Sequence, residues 1–238
     1  MAGERSLGPV VERSKQGRCR LRTDEEGRAG SLVALACETR YVAATEEFGE
    51  LLDGLSELVL VQGLSSVEEL LDEGWRDGGT VRGAITATSL ELQENLTVVG
   101  VRSLAVDGGY VGGYVHHNEW VGVLAAVRTA AQREDAEAFL GRLGMHVAAF
   151  PPTVLSRGDF APERIEYETG GYLLEVRDEP EGLREAWVQS RLARFYAEHC
   201  LLDQRWVLDE SQTVAQAALD ALGEGTEIVD YARLAVRT

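Results

Sequence analysis

The sequence predicts an α+β fold in which one strand–helix–helix–strand unit occurs twice. The chain has 238 residues, of which 45% are hydrophobic, and this suits one large or two small folded domains. Each half has an apolar strand, then helical segments, then a Thr-Val pair that opens a helix, and then a final strand. Repetition of a whole unit in the same order indicates internal duplication.

The first half contains two strands, three helices and a closing strand. Residues 17–22 alternate polar and apolar side chains and predict an edge strand, whereas the apolar residues 31–39 predict a more buried one. Thr45 is the expected N-cap of a helix whose apolar residues recur at helical spacing. The later elements are a short helix, a longer helix and a strand, predicted at residues 66–71, 80–92 and 96–106.

The second half repeats this order. Residues 114–116 and 121–129 predict a hairpin that turns at residues 117–120. A helix is expected at residues 133–149, where the following Pro151-Pro152 pair ends it. The last two elements are a helix and a strand, predicted at residues 213–222 and 226–236.

The second unit also carries an insertion. The first strand and the Thr-Val pair are 49 residues apart in the first half (Ser31 to Thr80) but 92 in the second (Val121 to Thr213). The additional segment of about 40 residues predicts two helices that form a hairpin within residues 156–205. We expect Gly170-Gly171 to interrupt the first of these helices.

These boundaries predict three regions along the chain. Residues 1–16 form a polar leader, residues 17–108 an N-terminal core subdomain, and residues 109–238 a C-terminal core subdomain that contains the helical insertion.

Composition and charge exclude several classes of function. The net charge is −17, which argues against direct binding of nucleic acid, because phosphate backbones are bound mainly by Lys and Arg. No apolar run approaches the roughly 20 residues that span a membrane, and the start lacks a signal peptide. Three widely spaced cysteines suggest neither a disulfide framework nor a zinc site. We therefore expect a reduced, cytoplasmic protein without membrane attachment.

Sequence motifs for catalysis are also lacking. The chain has no phosphate-binding loop, no metalloprotease motif and no nucleophile elbow. The Gly108-Gly109 and Gly112-Gly113 pairs are interpreted as turn glycines. His116 and His117 do not predict a metal site, because neighbouring residues of a strand point to opposite faces. The prediction is that the protein is not an enzyme and needs neither a metal nor a cofactor.

One segment points to a protein family. Cys37-Glu38-Thr39-Arg40-Tyr41-Val42-Ala43 resembles the C-E-T-D-F-V-A motif of the elongation factor Ts family, with five of seven positions identical. The similarity is collinear from about residue 17 to residue 236. It includes the segments Tyr114–Asn118, Val121–Leu124, Gly144–Ala149, Pro151–Glu166, Arg191–Glu198, Cys200–Gln204 and Thr213–Val214.

The resemblance implies a function in translation elongation. Members of this family are guanine nucleotide exchange factors of elongation factor Tu, and their core is two related α/β subdomains with a helical protrusion. By this resemblance, the expected partner is elongation factor Tu or a paralogue, and a homodimer through the second subdomain is a further expectation. The residues implied to contact the partner are Thr39, Arg40, Tyr41, Val42, Ala43, His116, His117, Asn118 and His146.

Two departures from the family affect this interpretation. The family normally begins with a three-helix ubiquitin-associated-like domain, and about 16 residues precede the core in this sequence, too few for three helices of average length. The Asp-Phe pair of the family is Arg40-Tyr41, which reverses a charge and adds a hydroxyl group. Like charges across an interface can cost several kcal/mol.

Three functions remain open at this stage. In the preferred interpretation, the protein binds the GTPase and promotes GDP release. The alternative is a scaffold or regulator that binds the GTPase without exchange activity. A metabolite-binding or enzymatic domain on the same fold is supported only by the general reuse of folds.

Overall fold

The computed structural model describes residues 16–76 and 78–237, so the predicted leader lies outside the described residues except for its last residue. The first sheet is antiparallel, with strand order β1-β2-β3. Helices cover one of its faces. The elements of this half are β1 (Gln16–Thr23), β2 (Ala29–Cys37), α1 (Arg40–Ala43), α2 (Glu46–Gln62), α3 (Val67–Asp72), α4 (Val81–Leu92) and β3 (Thr97–Ala105).

The second sheet is also antiparallel, with order β4-β5-β8, and it packs against helices on its outer face. A two-stranded hairpin, which the sequence did not predict, joins the helical insertion to α8. The elements of this half are β4 (Gly109–Val115), β5 (Val121–Arg128), α5 (Arg133–Ala149), α6 (Pro162–Glu175), α7 (Glu181–His199), β6 (Arg205–Trp206), β7 (Asp209–Thr213), α8 (Val214–Leu222) and β8 (Glu227–Ala235).

Side-chain caps fix the starts of several helices. The hydroxyl oxygens of Thr45, Thr80 and Thr213 accept hydrogen bonds from backbone N–H groups in the first turns of α2, α4 and α8. Ser66 and Glu69 form a reciprocal capping box at α3. Each cap satisfies N–H groups that have no partner within the helix, which explains why these helices begin where the sequence predicts.

The two sheets face each other and share a hydrophobic layer. Cys19 and Leu32 of the first sheet are buried against Val111 and Leu124 of the second, and Val236 joins them from beyond β8. Two further layers lie between each sheet and its helices. The order through the molecule is therefore helices, sheet, sheet, helices, and the predicted boundary at residues 108 and 109 coincides with the end of the connecting turn and the start of β4.

Glycines account for two corrections to the sequence-based predictions. Gly108 lies in a turn with φ +70°, but Gly109, Gly112 and Gly113 are residues of β4. A Cβ on Gly109 would lie 1.9 Å from the carbonyl oxygen of Val127, so these strands approach too closely for a side chain there. Gly170-Gly171 does not interrupt α6, which is continuous and forms a hairpin with α7.

The structure confirms the α+β class, and α6 and α7 form a helical hairpin where the insertion is predicted. Both sheets have three antiparallel strands with the earlier hairpin at one side and the last strand of the half at the other. The duplication itself stays a prediction, as do the subdomain boundaries. Among the described residues, no helix has the length and apolar character needed to cross a membrane.

Candidate partner-binding site

The α1 turn carries the motif that resembles the family. Thr39 is its N-cap, and the Thr39 hydroxyl oxygen accepts a hydrogen bond from the Val42 N–H at 3.3 Å. The carbonyl oxygen of Thr39 accepts from the Ala43 N–H at 3.2 Å, which closes a single helical turn. The turn connects the end of β2 to α2, and it presents Arg40 and Tyr41 at its start.

Glu94, which follows α4, holds the start of this turn. Its Oε2 accepts hydrogen bonds from the backbone N–H groups of Glu38 and Thr39 at 3.0 and 2.9 Å, and its Oε1 accepts from the Thr39 hydroxyl at 2.5 Å. In the opposite direction, the Asn95 side-chain amide donates to Glu38 Oε1 at 2.6 Å. Two loops that are 55 residues apart in sequence are therefore joined by reciprocal polar contacts.

Tyr41 is the most prominent group of the turn. Its side chain is 73% exposed, although tyrosine is a large and mostly apolar residue. The guanidinium carbon of Arg40 lies 5.2 Å from the centre of the Tyr41 ring, and Arg40 Nη2 donates to the Tyr41 hydroxyl at 3.4 Å. Arg40 therefore supplies the Tyr41 hydroxyl with a partner inside the chain.

The remaining residues of the motif anchor the turn to the core. Ala43 is buried, and Val42 is half-buried against the layer between the first sheet and its helices. The Cys37 thiol donates to the Thr39 carbonyl oxygen at 3.1 Å. Burial raises the pKa of Cys37 to about 11, so the thiol keeps its proton and serves as a donor at neutral pH.

The tip of the β4–β5 hairpin forms a second exposed segment. His117 and Asn118 are exposed, whereas His116 is half-buried and its Nδ1 lies 2.9 Å from the Tyr114 hydroxyl. The rings of His116 and His117 have centroids 4.2 Å apart. Asn118 Oδ1 accepts from the Trp120 N–H at 3.0 Å and thereby shapes the turn.

Arg18 of β1 lies between the two exposed segments. Its guanidinium group is paired with Glu119 in the hairpin tip, with Nε–Oε2 and Nη2–Oε1 distances of 2.6 and 2.7 Å. Its Nη1 also lies 3.5 Å from the carbonyl oxygen of Ala43 at the end of α1. Arg18 thus contacts both the end of the α1 turn, at Ala43, and the hairpin tip, at Glu119.

His146 is placed differently from the other predicted contact residues. Its side chain is 0% exposed, and its ring stacks on Trp206 with centroids 5.3 Å apart. Nδ1 accepts from the Val207 N–H at 3.3 Å, which leaves the proton on Nε2 to be donated to Gln204 Oε1 at 2.9 Å. Burial lowers the pKa of His146, and the Gln204 contact only partly offsets this. The ring is therefore neutral and structural.

A groove of about 430 Å³ lies above His146. Phe150, at the end of α5, is half exposed on one side, and Val207 is on the other. The sequence did contain a signal for the burial of His146, because Phe139, Leu143 and His146 share one face of α5 at helical spacing. His146 supports this groove from beneath.

The described residues contain no group of three or more His, Cys, Asp or Glu side chains that could hold a metal ion. Within residues 16–76 and 78–237, the three cysteines are all buried and unpaired. Burial raises the pKa of Cys19 to about 12 and that of Cys200 to about 11, so neither thiol is activated as a nucleophile.

Sequence comparisons identify the family of the chain. The family described as "Elongation factor TS" matches residues 38–238. A protein of Clostridium botulinum strain Eklund 17B named "Elongation factor Ts" is 32% identical over 219 residues, which cover 90% of this chain and 72% of the relative. The protein of the same name from Clostridium perfringens strain ATCC 13124 is 32% identical over 194 residues, or 81% of this chain and 64% of the relative.

Proposed function

The chain belongs to the elongation factor Ts family, and from this premise we propose that it binds elongation factor Tu, or a paralogous translation GTPase, and promotes release of GDP. Family membership gives the protein a role in translation elongation. The finer proposal rests on one observation, which is the exposed Tyr41 ring on the Glu94-held turn. Such a function places the protein in the cytoplasm, without covalent chemistry of its own.

A rigid turn with an exposed ring suits a protein that must separate groups of its partner. Insertion of a side chain loosens a nucleotide only if the chain behind it does not yield. The three hydrogen bonds accepted by Glu94 and the buried Ala43 hold the backbone on either side of Tyr41. Preorganisation of this kind lowers the entropy cost of binding.

His117 and Asn118 complete the proposed surface from the hairpin tip. Both are exposed, and Arg18 joins this tip to the α1 turn. His146 enters the proposal in an indirect role, since its buried ring supports the groove between Phe150 and Val207 rather than touching a partner. The homodimer through the second subdomain remains a separate proposal.

Arg40 favours a second candidate function, which is binding without exchange. Its guanidinium group is exposed next to the Tyr41 ring, where the family motif has an acidic residue. A partner surface built for a carboxylate would repel this group, whereas a specialised partner with a compensating acid would attract it. The two candidates differ in whether nucleotide release is accelerated.

The test is release of a fluorescent GDP analogue from elongation factor Tu of the same organism, and from any paralogous GTPase, with and without the protein. We expect faster release and a complex on size exclusion. Tyr41→Ala should reduce the effect about 30-fold, in the range of an aromatic interface residue that carries much of the binding energy. The matched control is Tyr167→Ala on α6, where the tyrosine is 76% exposed.

Three results would change the proposal. A stable complex with unchanged release selects the second candidate, and Arg40→Asp combined with Tyr41→Phe should then restore part of the exchange activity. Equal loss in Tyr41→Ala and Tyr167→Ala would remove the special role of the α1 turn. Absence of both binding and release with every translation GTPase would refute both candidates.

A further inference from the structure

The contact between Arg18 and Glu119 suggests a function beyond local stability. Resting on the proposed function, we infer that Arg18 and Glu119 are positioning residues, which lock the hairpin tip to the α1 turn so that Tyr41 and His117 meet the partner as one preformed surface. Neither residue belongs to the family motif discussed above. They act by positioning two other segments, the α1 turn and the hairpin tip.

The first support is the geometry of the contact. Arg18 and Glu119 have side-chain exposures of 23% and 35%, and two nitrogen atoms of Arg18 approach the two carboxylate oxygens of Glu119. Nη2 donates a hydrogen bond to Oε1, and the Nε–Oε2 contact adds charge attraction at close range, so the pair holds the two side chains together. The backbone reinforces it, because the Cys19 N–H donates to the Glu119 carbonyl oxygen at 2.6 Å. β1 therefore holds the hairpin tip through both a side chain and the main chain.

The second support is the position of Arg18 relative to α1. Its Nη1 lies 3.5 Å from the Ala43 carbonyl oxygen, which is at the C-terminal end of the α1 turn. A cation is favoured there, where backbone carbonyl groups lack helical partners. One guanidinium group thus contacts two segments that are 76 residues apart, as counted from Ala43 to Glu119. Movement of either segment away from β1 would break part of this arrangement.

An independent observation concerns the backbone of Glu119. Its φ is +59°, in the left-handed region that side chains other than glycine or asparagine rarely adopt. Among the residues that the structure describes, Gln93 is the other non-glycine residue with positive φ, at +57°. Gln93 immediately precedes Glu94, which holds the α1 turn. Both unfavourable backbone positions therefore lie beside contacts that position the proposed surface, as is common at functional sites.

The backbone conformation of Glu119 makes it possible to distinguish a positioning role of this residue from a purely stabilising role. If the turn existed only to connect β4 and β5, glycine at position 119 would suit it better, because glycine adopts positive φ at little cost. Glu119 instead keeps an unfavourable conformation and gains the contact with Arg18. Removal of the carboxylate by Glu119→Gly should relax the turn and release the hairpin tip at the same time.

The first experiment measures GDP release against the concentration of the protein for wild type, Glu119→Gly and Glu119→Gln. We expect the half-saturating concentration to rise about five- to tenfold in both variants, with a nearly unchanged maximal rate, because a preformed surface is lost. The melting temperature of Glu119→Gly should equal or exceed that of wild type. The charge exchange Arg18→Glu with Glu119→Arg should recover part of the affinity, although the contact with Ala43 is lost.

The matched control is Glu227→Gln, which removes an ion pair with Arg128 elsewhere on the second sheet. This variant should leave the half-saturating concentration unchanged. The inference is overturned if Glu119→Gly shows wild-type half-saturation, or if its affinity falls only in proportion to a loss of thermal stability. Failure of the charge exchange to recover any affinity would also count against it.

A measurement without the partner distinguishes failure of this inference from failure of the proposed function. Amide hydrogen exchange is followed in the free protein, and Glu119→Gly should accelerate exchange in residues 116–120 and 39–43 together. Acceleration confined to the hairpin tip would refute the coupling. If exchange accelerates in both segments but the wild-type protein neither binds a GTPase nor promotes GDP release, the coupling is supported and the proposed function is refuted.

Discussion

Tyr41 and His146 are both polar aromatic residues that the sequence predicts as partner contacts, but they are held in opposite ways. Tyr41 stands 73% exposed on a turn whose backbone is fixed from behind by Glu94. His146 has no exposed surface, and its ring lies between Trp206, Phe150 and Gln204. The first residue is available to a partner, whereas the second has used its hydrogen-bonding capacity inside the protein.

The difference distinguishes a residue that is available for contact with a partner, Tyr41, from a residue that supports the fold, His146. A side chain that inserts into another protein must stay exposed, so contacts within its own chain cannot fix it. Its rigidity therefore has to come from the backbone that carries it. A side chain that supports a groove must instead be saturated by its neighbours, because an unpaired polar group in the interior is costly. Substitution of His146 should therefore reduce the stability of the fold, whereas substitution of Tyr41 should reduce binding.

The largest effect is expected for His146→Ala. The change removes a ring stacked on Trp206 and leaves Gln204 and the Val207 N–H without their partner. We expect a loss of about 3 kcal/mol in the free energy of unfolding, with a fall in melting temperature of roughly 6–12 °C. Thermal unfolding followed by circular dichroism measures it. Tyr41→Ala is the control and should change the stability by less than about 0.5 kcal/mol.

If His146→Ala proved as stable as wild type but failed to bind, the ring would have to be a contact residue after all. That result would reverse the contrast between the two regions.

A smaller effect is expected for Glu94→Gln. Glutamine has one neutral carbonyl oxygen in place of two charged carboxylate oxygens, so the two backbone N–H groups and the Thr39 hydroxyl lose their charged acceptor and the α1 turn is held less firmly. We expect the half-saturating concentration for GDP release to rise about tenfold, equivalent to roughly 1.4 kcal/mol. The matched control is Glu91→Gln, on the exposed face of α4. Equal behaviour of the two variants would show that Tyr41 does not depend on Glu94.

The smallest effect is a dependence of stability on pH. Because the folded-state pKa of His146 is below its ordinary value of about 6.5, the unfolded chain binds the proton more readily in acid. The stabilising contribution is complete above pH 6.5 and declines as the pH falls from there towards the folded-state pKa, by at most about 1.4 kcal/mol per pH unit.

Urea unfolding of wild type and His146→Gln between pH 7.5 and 5.5 isolates this contribution as the difference between the two slopes. Carboxylates that titrate in the same range are common to both proteins and cancel. Parallel slopes would mean that the His146 ring accepts a proton in the folded state as readily as in the unfolded chain.

Local chemistry made much of the fold predictable. Threonine caps placed the starts of α2, α4 and α8 within one residue, and the Pro151-Pro152 pair placed the end of α5. β4 was underestimated because three glycines resemble a turn in sequence, whereas the structure uses them for close approach to β5 and α5. β6 and β7 were missed because strands of two and five residues leave hardly any alternating pattern.

The sequence predicted the motif of the site but did not predict the residues that hold it, Glu94 and Arg18. The resemblance identified the α1 turn and the hairpin tip, which the structure places on either side of Arg18. Glu94 and Arg18 are joined to their partners across 55 and 101 residues of sequence, and no periodicity or local motif encodes such contacts. His146 differs from Glu94 and Arg18, because its position on the apolar face of α5 is a sequence signal for its burial.

The layer between the two sheets has a consequence for the order in which the protein is made. β1, β2 and β3 leave the ribosome before the strands of the second sheet, and Leu32 and Leu104 then lie on a sheet face that has no cover. That cover is finished only by β8 and Val236, near the end of the chain. Every nascent molecule therefore passes through a stage with an uncovered apolar sheet, and delay or truncation before residue 227 would prolong its exposure to chaperones and to aggregation.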